Sequence, residues 1–136
     1  MSVSEDGKIK TVGQMYEAFG RGDVAVILDA LADDVDWGAE TTSTAAPWYG
    51  VRHGKDEVMQ FFTAFGSAME IEEFTPLSFA AGDDDVLSVV RCRARSRSTG
   101  KPVVMDLHHW FRFRDGRISF YRGTEDTAQV EAALRG

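Results

Sequence analysis

This chain carries one cysteine, three prolines and fewer basic than acidic side chains, and each shortage closes off a class of protein. Cys92 stands alone, so no internal disulfide framework shapes the fold. With 15 Lys and Arg against 22 Asp and Glu, the net charge is -7. That balance lacks the basic surface that nucleic acid or an anionic membrane demands. No apolar run reaches the roughly 20 residues of a membrane span, and Met1 to Lys10 is polar, without a signal-peptide core. His53, His108 and His109 lack metal-ligand spacing. Asp83-Asp84-Asp85 lacks the spaced ligands and terminal Glu of a calcium loop, and reads as a solvated turn. No glycine loop is built to cradle phosphate. The expectation is one cytoplasmic domain spanning residues 1–136, with no metal and no cofactor.

What is present is a hydrophobic content of 43% with nine Phe and three Trp, enough for a core and for a concave lining. The most informative stretch is Val103-Val104-Met105-Asp106-Leu107-His108-His109-Trp110-Phe111-Arg112-Phe113. Strand side chains alternate between faces. Met105, Leu107, His109, Phe111 and Phe113 therefore share one face, and Asp106, His108, Trp110 and Arg112 the other. The first face is apolar except at His109, a side chain that ordinarily titrates near neutral pH. A histidine there is either a core residue with a hydrogen-bond partner or the working end of a pocket.

Helical spacing of Ile9, Val12, Met15, Tyr16 and Phe19 predicts a first helix, ended by Gly20-Arg21-Gly22-Asp23. A second short helix runs from Val24 to Leu31, and a short strand from Val35 to Ala39. A Thr/Ser/Ala-rich loop covers Glu40 to Pro47. The third helix opens at Gly54-Lys55-Asp56, with Val58, Met59, Phe61, Phe62, Phe65 and Met69 on its apolar face. Four strands follow: Glu70 to Ala81, Val86 to Ser98, Lys101 to Arg114 and Arg117 to Gly123. Turn residues join them, namely Gly82 to Asp85, Thr99-Gly100 and Asp115-Gly116. Ala128 to Leu134 is a short helix or a frayed end. This order is an α+β plan, with helices covering one face of a curved antiparallel sheet.

Three segments carry a family likeness: Met15-Tyr16-Glu17-Ala18-Phe19-Gly20-Arg21-Gly22-Asp23, Leu31-Ala32-Asp33-Asp34-Val35-Asp36-Trp37 and Trp110-Phe111-Arg112-Phe113-Arg114-Asp115-Gly116-Arg117-Ile118. A weaker one runs from Tyr49-Gly50 to Phe62. In this order the chain resembles the SnoaL-like and ketosteroid-isomerase-like branch of the nuclear-transport-factor-2-like superfamily. The resemblance implies a conical half-barrel enclosing an apolar pocket, and a homodimer through the outer sheet face. Members include steroid isomerases, polyketide cyclases, dehydratases, epoxide hydrolases and binding modules, so fold alone does not decide activity. In the steroid isomerases a helix Tyr and a protonated strand Asp stabilise an enolate while a second Asp shuttles the proton. Tyr16 falls at the helix tyrosine and His109 at the strand aspartate. The shuttling aspartate is replaced by Ala39, with Glu40 one residue on as a stand-in. That departure argues against steroid isomerisation itself.

The candidate catalytic residues are thus His109, Tyr16 and Glu125. His109 donates or moves a proton, and Tyr16 holds a carbonyl oxygen. Glu125, on the Tyr121 and Gly123 face, either orients His109 or acts as base. The alternative for each is structural: a satisfied core histidine, a packed helix tyrosine and a solvated acid. Trp37, Trp48, Tyr49, Phe62, Phe65, Met105, Leu107 and Tyr121 are the candidate lining for a small apolar ligand, steroid- or polyketide-like. Asp36 faces solvent. Arg91, Arg93, Arg95 and Arg97 share an outer face with Asp106 and Trp110, where Asp106 pairs across strands and an arginine covers Trp110. Val90, Cys92 and Ala94 face inward. Three functions fit: proton transfer beside a carbonyl (isomerisation, cyclisation or dehydration), binding of a hydrophobic ligand without catalysis, or a structural association module whose cavity is filled.

Overall fold

The computed structural model describes residues 4–136. Helix α1 (Glu5–Gly20) starts where Ser4 Oγ accepts the Gly7 N–H, with Glu5 and Asp6 in its first turn against the helix dipole. Asp23 caps α2 (Val24–Asp29) in the same manner, accepting from Val26. The chain continues through β1 (Leu31–Ala39), β2 (Gly50–His53), α3 (Lys55–Ala68), β3 (Met69–Ala81), β4 (Asp85–Ser96), β5 (Pro102–Arg114), β6 (Arg117–Thr124) and α4 (Thr127–Leu134).

Six strands form one curved, open sheet in the order β2-β1-β6-β5-β4-β3, with the helices on its concave side. The α+β half-barrel read from the sequence is the fold observed. Three details differ from that reading. The second helix ends at Asp29, because Leu31 is fully buried and pairs with Ile118, drawing the chain into the sheet four residues before Val35. β1 lies parallel to β6 while every other neighbouring pair is antiparallel, so the sheet is mixed. β2, only four residues long, is too short for its alternation to stand out; it pairs with β1 from Asp36↔His53 to Ala39↔Gly50.

The curvature has local causes. β3 shifts register between Ile71 and Glu73 and again between Pro76 and Ser78, and Pro76 sits on an edge strand where its missing N–H costs no ladder bond. Asp115 and Gly116 both take positive φ, 53° and 79°, the geometry of a hairpin turn whose twist matches its strands. The alternation read for β5 holds at every position from Val103 to Arg114, apolar side inward. α4 is docked rather than frayed: Val130 and Ala133 are buried, and the Gln129 carboxamide bonds both the N–H and C=O of Val104, closing the β5 edge that β6 leaves open.

The outer face is a ladder of ion pairs. Arg91 meets Asp106 at 3.2 Å, Arg112 meets Asp85 at 2.9 Å and Arg95 meets Glu72 at 3.7 Å. Arg97 leaves this face, because the strand ends at Ser96; its Nε donates to Gly66 O at 2.8 Å instead. No arginine covers Trp110. That ring packs edge-on against Phe120 and its Nε1 donates to Asp85, while Arg122 lies over Phe120 at 4.4 Å. Among the described residues no helix is long and apolar enough to cross a membrane.

Candidate functional site

Between the concave sheet face and α1–α3 lies a cavity of about 780 Å3, its open mouth included. Its wall is aromatic and aliphatic: Trp37, Phe61, Phe62, Phe65, Phe74 and Phe111 are among its lining residues. Packing alone explains why Phe61, Phe62 and Phe65 are only half-buried, since they border empty space. Polar groups reach the cavity at few places, chiefly His109, Tyr121, Thr124 and Glu125.

His109 is 8% exposed and its ring stands in the cavity wall. Its position follows from the β5 alternation, with Gly123 as its register partner on β6. The α1 stripe Val12, Met15, Tyr16 delivers the Tyr16 hydroxyl to 2.7 Å from His109 Nδ1. The same hydroxyl bonds Ser88 Oγ, from the inward side of β4. Tyr16 and Ser88 are both buried, so the three groups form a closed chain away from solvent.

Counting protons orients that chain. Ser88, Tyr16 and a neutral His109 have one proton each to place, and Ser88 Oγ has Tyr16 as its one partner among the described residues. If Ser88 donates to Tyr16 and Tyr16 donates to Nδ1, both hydroxyl protons are paired. Each direction leaves one proton without a protein acceptor; the opposite one seals the Ser88 proton in the interior, at about 1–3 kcal/mol, whereas this one leaves the imidazole proton at the cavity, where water or a ligand can accept it. The imidazole proton therefore sits on Nε2. Nε2 has no protein partner among the described residues, so this N–H is offered to the cavity. Burial, aided slightly by His108, drives the His109 pKa down to about 3, so the ring is neutral at physiological pH. Burial likewise holds the Tyr16 and Tyr121 phenols above their usual range.

Gly123 makes this corner possible. A Cβ there would lie 2.9 Å from Tyr121 Cζ and 3.2 Å from His109 Cδ2, and would collide with the Tyr121 hydroxyl. The bare backbone lets the Tyr121 ring fold over it, bringing that hydroxyl beside His109. Glu125, two residues further along, also reaches the cavity wall. Its Oε1 accepts the Trp48 indole N–H at 2.7 Å. Burial raises the Glu125 pKa, and the Trp48 bond offsets this in part.

The candidate residues sort plainly. Trp37, Trp48, Phe62, Phe65, Met105, Leu107 and Tyr121 line the cavity together with Tyr16, His109 and Glu125. Tyr49 does not; it packs edge-on against the far side of Trp48, ring centres 5.5 Å apart. Glu125 bonds Trp48, not His109, so it does not orient the imidazole. The Tyr16 hydroxyl is taken by Ser88 and His109, so its proton is not free for a ligand oxygen. Ala39 lines the cavity, whereas Glu40 is exposed and meets Arg122 at 3.5 Å, so Glu40 is no stand-in for the missing aspartate. Asp36 is not free in solvent: it pairs with Arg122 at 2.8 Å. Cys92 faces inward as a small apolar group, its thiol pushed up to about 12 by burial. Ser88 is a polar residue on the inward face of β4, which it shares with Val86, Val90, Cys92, Ala94 and the terminal Ser96, and the signal that marks His109 marks it too.

An open half-barrel with an apolar pocket and one hydrogen-bonded polar corner defines a class of small pocket proteins. The SnoaL-like domain family matches residues 12–121, and the chain belongs to that family, within the nuclear-transport-factor-2-like superfamily. A nuclear-transport-factor-2-like protein of unknown function from Burkholderia pseudomallei K96243 superposes with a TM-score of 0.88 at 27% identity, covering 96% of this chain and 98% of that one. One from Burkholderia xenovorans LB400 gives 0.85 at 23% identity, covering 97% and 98%. TerC, co-crystallised with polyporic acid, gives 0.83 at 19% identity, covering 96% and 99%. No curated protein matches the sequence.

Proposed function

We propose that this protein binds an apolar, carbonyl-bearing small molecule in the cavity and moves a proton at the carbon beside the carbonyl. The observation that carries this reading is the neutral His109 imidazole, held by Tyr16 and Ser88 at the polar corner of an otherwise greasy wall. The Nε2–H donates to the carbonyl oxygen and strengthens its bond as that oxygen becomes an enolate. Glu125 is the base: Trp48 holds one of its oxygens, and burial raises its basicity toward that needed to take a proton from carbon. The proton leaves the α-carbon for the Glu125 carboxylate, the electron pair moves to oxygen, and return of the proton to another carbon completes an isomerisation. The chemistry balances with no further reactant.

A panel of β,γ-unsaturated cyclic ketones, followed by the ultraviolet absorbance of the conjugated product, tests it. His109→Ala and Glu125→Gln are each expected to lower turnover about 100- to 1000-fold. Undiminished turnover in both variants contradicts the mechanism.

One observation supports a second reading, ligand binding without catalysis. Ala39 occupies the wall where the steroid isomerases carry their proton-shuttling aspartate. Saturable ketone binding with no turnover across the panel decides for it. We also propose self-association through the outer sheet face, where the register partners Leu87 and Trp110 are 52% and 39% exposed.

A further inference from the structure

Two tyrosines meet His109, and only one of them is used up by the protein. The Tyr16 hydroxyl is spent between Ser88 and His109 Nδ1. The Tyr121 hydroxyl has no hydrogen-bond partner among the described residues, yet it is not sealed away. The Trp37 indole N–H and the Tyr49 hydroxyl are enclosed polar atoms without partners; the Tyr121 hydroxyl is not among these, because Tyr121 lines the cavity. Its place follows from the strand pairing. Tyr121 and Gly123 are two apart on β6 and share a face, and Gly123 is the register partner of His109 on β5. The Tyr121 side chain leans along its strand into the space that Gly123 leaves empty. A Cβ at Gly123 would collide with the Tyr121 hydroxyl and lie 3.2 Å from His109 Cδ2, so one carbon-sized spot touches both groups. Cδ2 is bonded to Nε2, the nitrogen that carries the imidazole proton.

Ser88, Tyr16, His109 and Tyr121 bring one proton each to this corner, and the bonds among them absorb those of Ser88 and Tyr16. The Nε2–H and the Tyr121 O–H are left over, neighbours at the cavity wall with no protein acceptor among the described residues. Burial keeps the Tyr121 phenol protonated, with Tyr16 and Glu125 adding to the effect, so it is a donor. Two adjoining donors without an acceptor describe a corner that lacks an oxygen. We propose that Tyr121 is a second catalytic donor, its hydroxyl and His109 Nε2–H together holding one ligand oxygen. This rests on the carbonyl-binding reading above and adds a residue to it. As a ketone becomes an enolate, its oxygen gains charge and both bonds strengthen. The helix tyrosine then acts one step back, fixing the imidazole, while the strand tyrosine touches the ligand.

The test titrates the full chain with α-tetralone, isotope-labelled at its carbonyl, and with tetralin, which has the same rings and no oxygen. Tyr121→Phe keeps the ring stacked on Trp37 and removes only the hydroxyl. It is expected to weaken α-tetralone about 3- to 10-fold, the increment of one hydrogen bond, and to leave tetralin unchanged. The infrared carbonyl band of bound α-tetralone lies below its position in hexane; Tyr121→Phe and His109→Ala each move it part of the way back. A further readout uses the wild type alone: the Tyr121 hydroxyl proton moves downfield in NMR with α-tetralone and stays in place with tetralin. A band that answers to His109→Ala but not to Tyr121→Phe, or an equal loss of both ligands in Tyr121→Phe, overturns the Tyr121 assignment alone. If α-tetralone does not bind, or its band is indifferent to His109, the carbonyl-binding reading falls and this assignment with it.

Discussion

Tyr16 and His109 stand 93 positions apart in the chain and are joined by a 2.7 Å hydrogen bond inside the protein. Helix α1 and strand β5 meet at this bond, so the first helix of the fold sets the proton position on a sheet residue. The consequences are measurable.

Removing the Tyr16 hydroxyl strands two groups, the Ser88 proton and His109 Nδ1. Tyr16→Phe keeps the ring and its packing against Phe74 and Phe79. A loss of about 1–3 kcal/mol in urea unfolding is expected, the cost of buried unpaired polar atoms. The imidazole then shows both tautomers in nitrogen NMR. An unchanged stability and a single tautomer count against the chain.

The depressed His109 pKa has a definite sign for stability. The native ring binds its proton only near pH 3, whereas an unfolded chain binds it near 6.5. Between these values the unfolded state holds more protons, so stability falls as pH drops from about 6.5 toward 3 and is fully retained above 6.5. Urea melts of the wild type and His109→Gln at pH 7 and pH 4.5 isolate the effect: the stability gap between the proteins narrows at the lower pH. A constant gap contradicts burial of the ring.

Glu125 carries the opposite shift. Its pKa lies above the ordinary carboxylate range, and a base must be ionised to work. Turnover of a responsive ketone therefore declines as pH falls, with a midpoint above that of an exposed glutamate. Trp48→Phe removes the N–H that lowers this pKa, so the midpoint moves further up. A midpoint that Trp48→Phe moves down excludes Glu125 as the titrating base.

Gly123→Ala places a methyl group against Tyr121 and His109 where no space exists. Either the Tyr121 ring swings away or the strand shifts, at about 1–3 kcal/mol, the usual cost of overpacking. Ketone affinity drops with it, because the polar corner is rebuilt. Thermal melts and titrations that match the wild type would show that the corner is looser than described.

Much of this arrangement is legible in the sequence because strand alternation is strict. His109 emerged as the odd residue on an apolar face, and the same count places Tyr121, Gly123 and Glu125 on the cavity side. Ser88 was equally readable on β4 and needed only the same question. The remainder depends on pairings that sequence spacing does not encode. The Trp48–Glu125 bond joins residues 77 apart, and Arg122 takes both Asp36 and Glu40, which a local reading sends to solvent or pocket. β2 and the early start of β1 escaped because tertiary pairing, not local propensity, makes those residues strands. Tyr49 follows a true lining residue, Trp48, yet packs against that ring away from the cavity, its hydroxyl buried.

The direct measurement is nitrogen NMR of the His109 imidazole in the intact protein between pH 8 and pH 5. Protonated Nε2 and bare Nδ1 across that whole range are the expected result. A proton on Nδ1, or a ring that becomes charged near pH 6.5, contradicts the account.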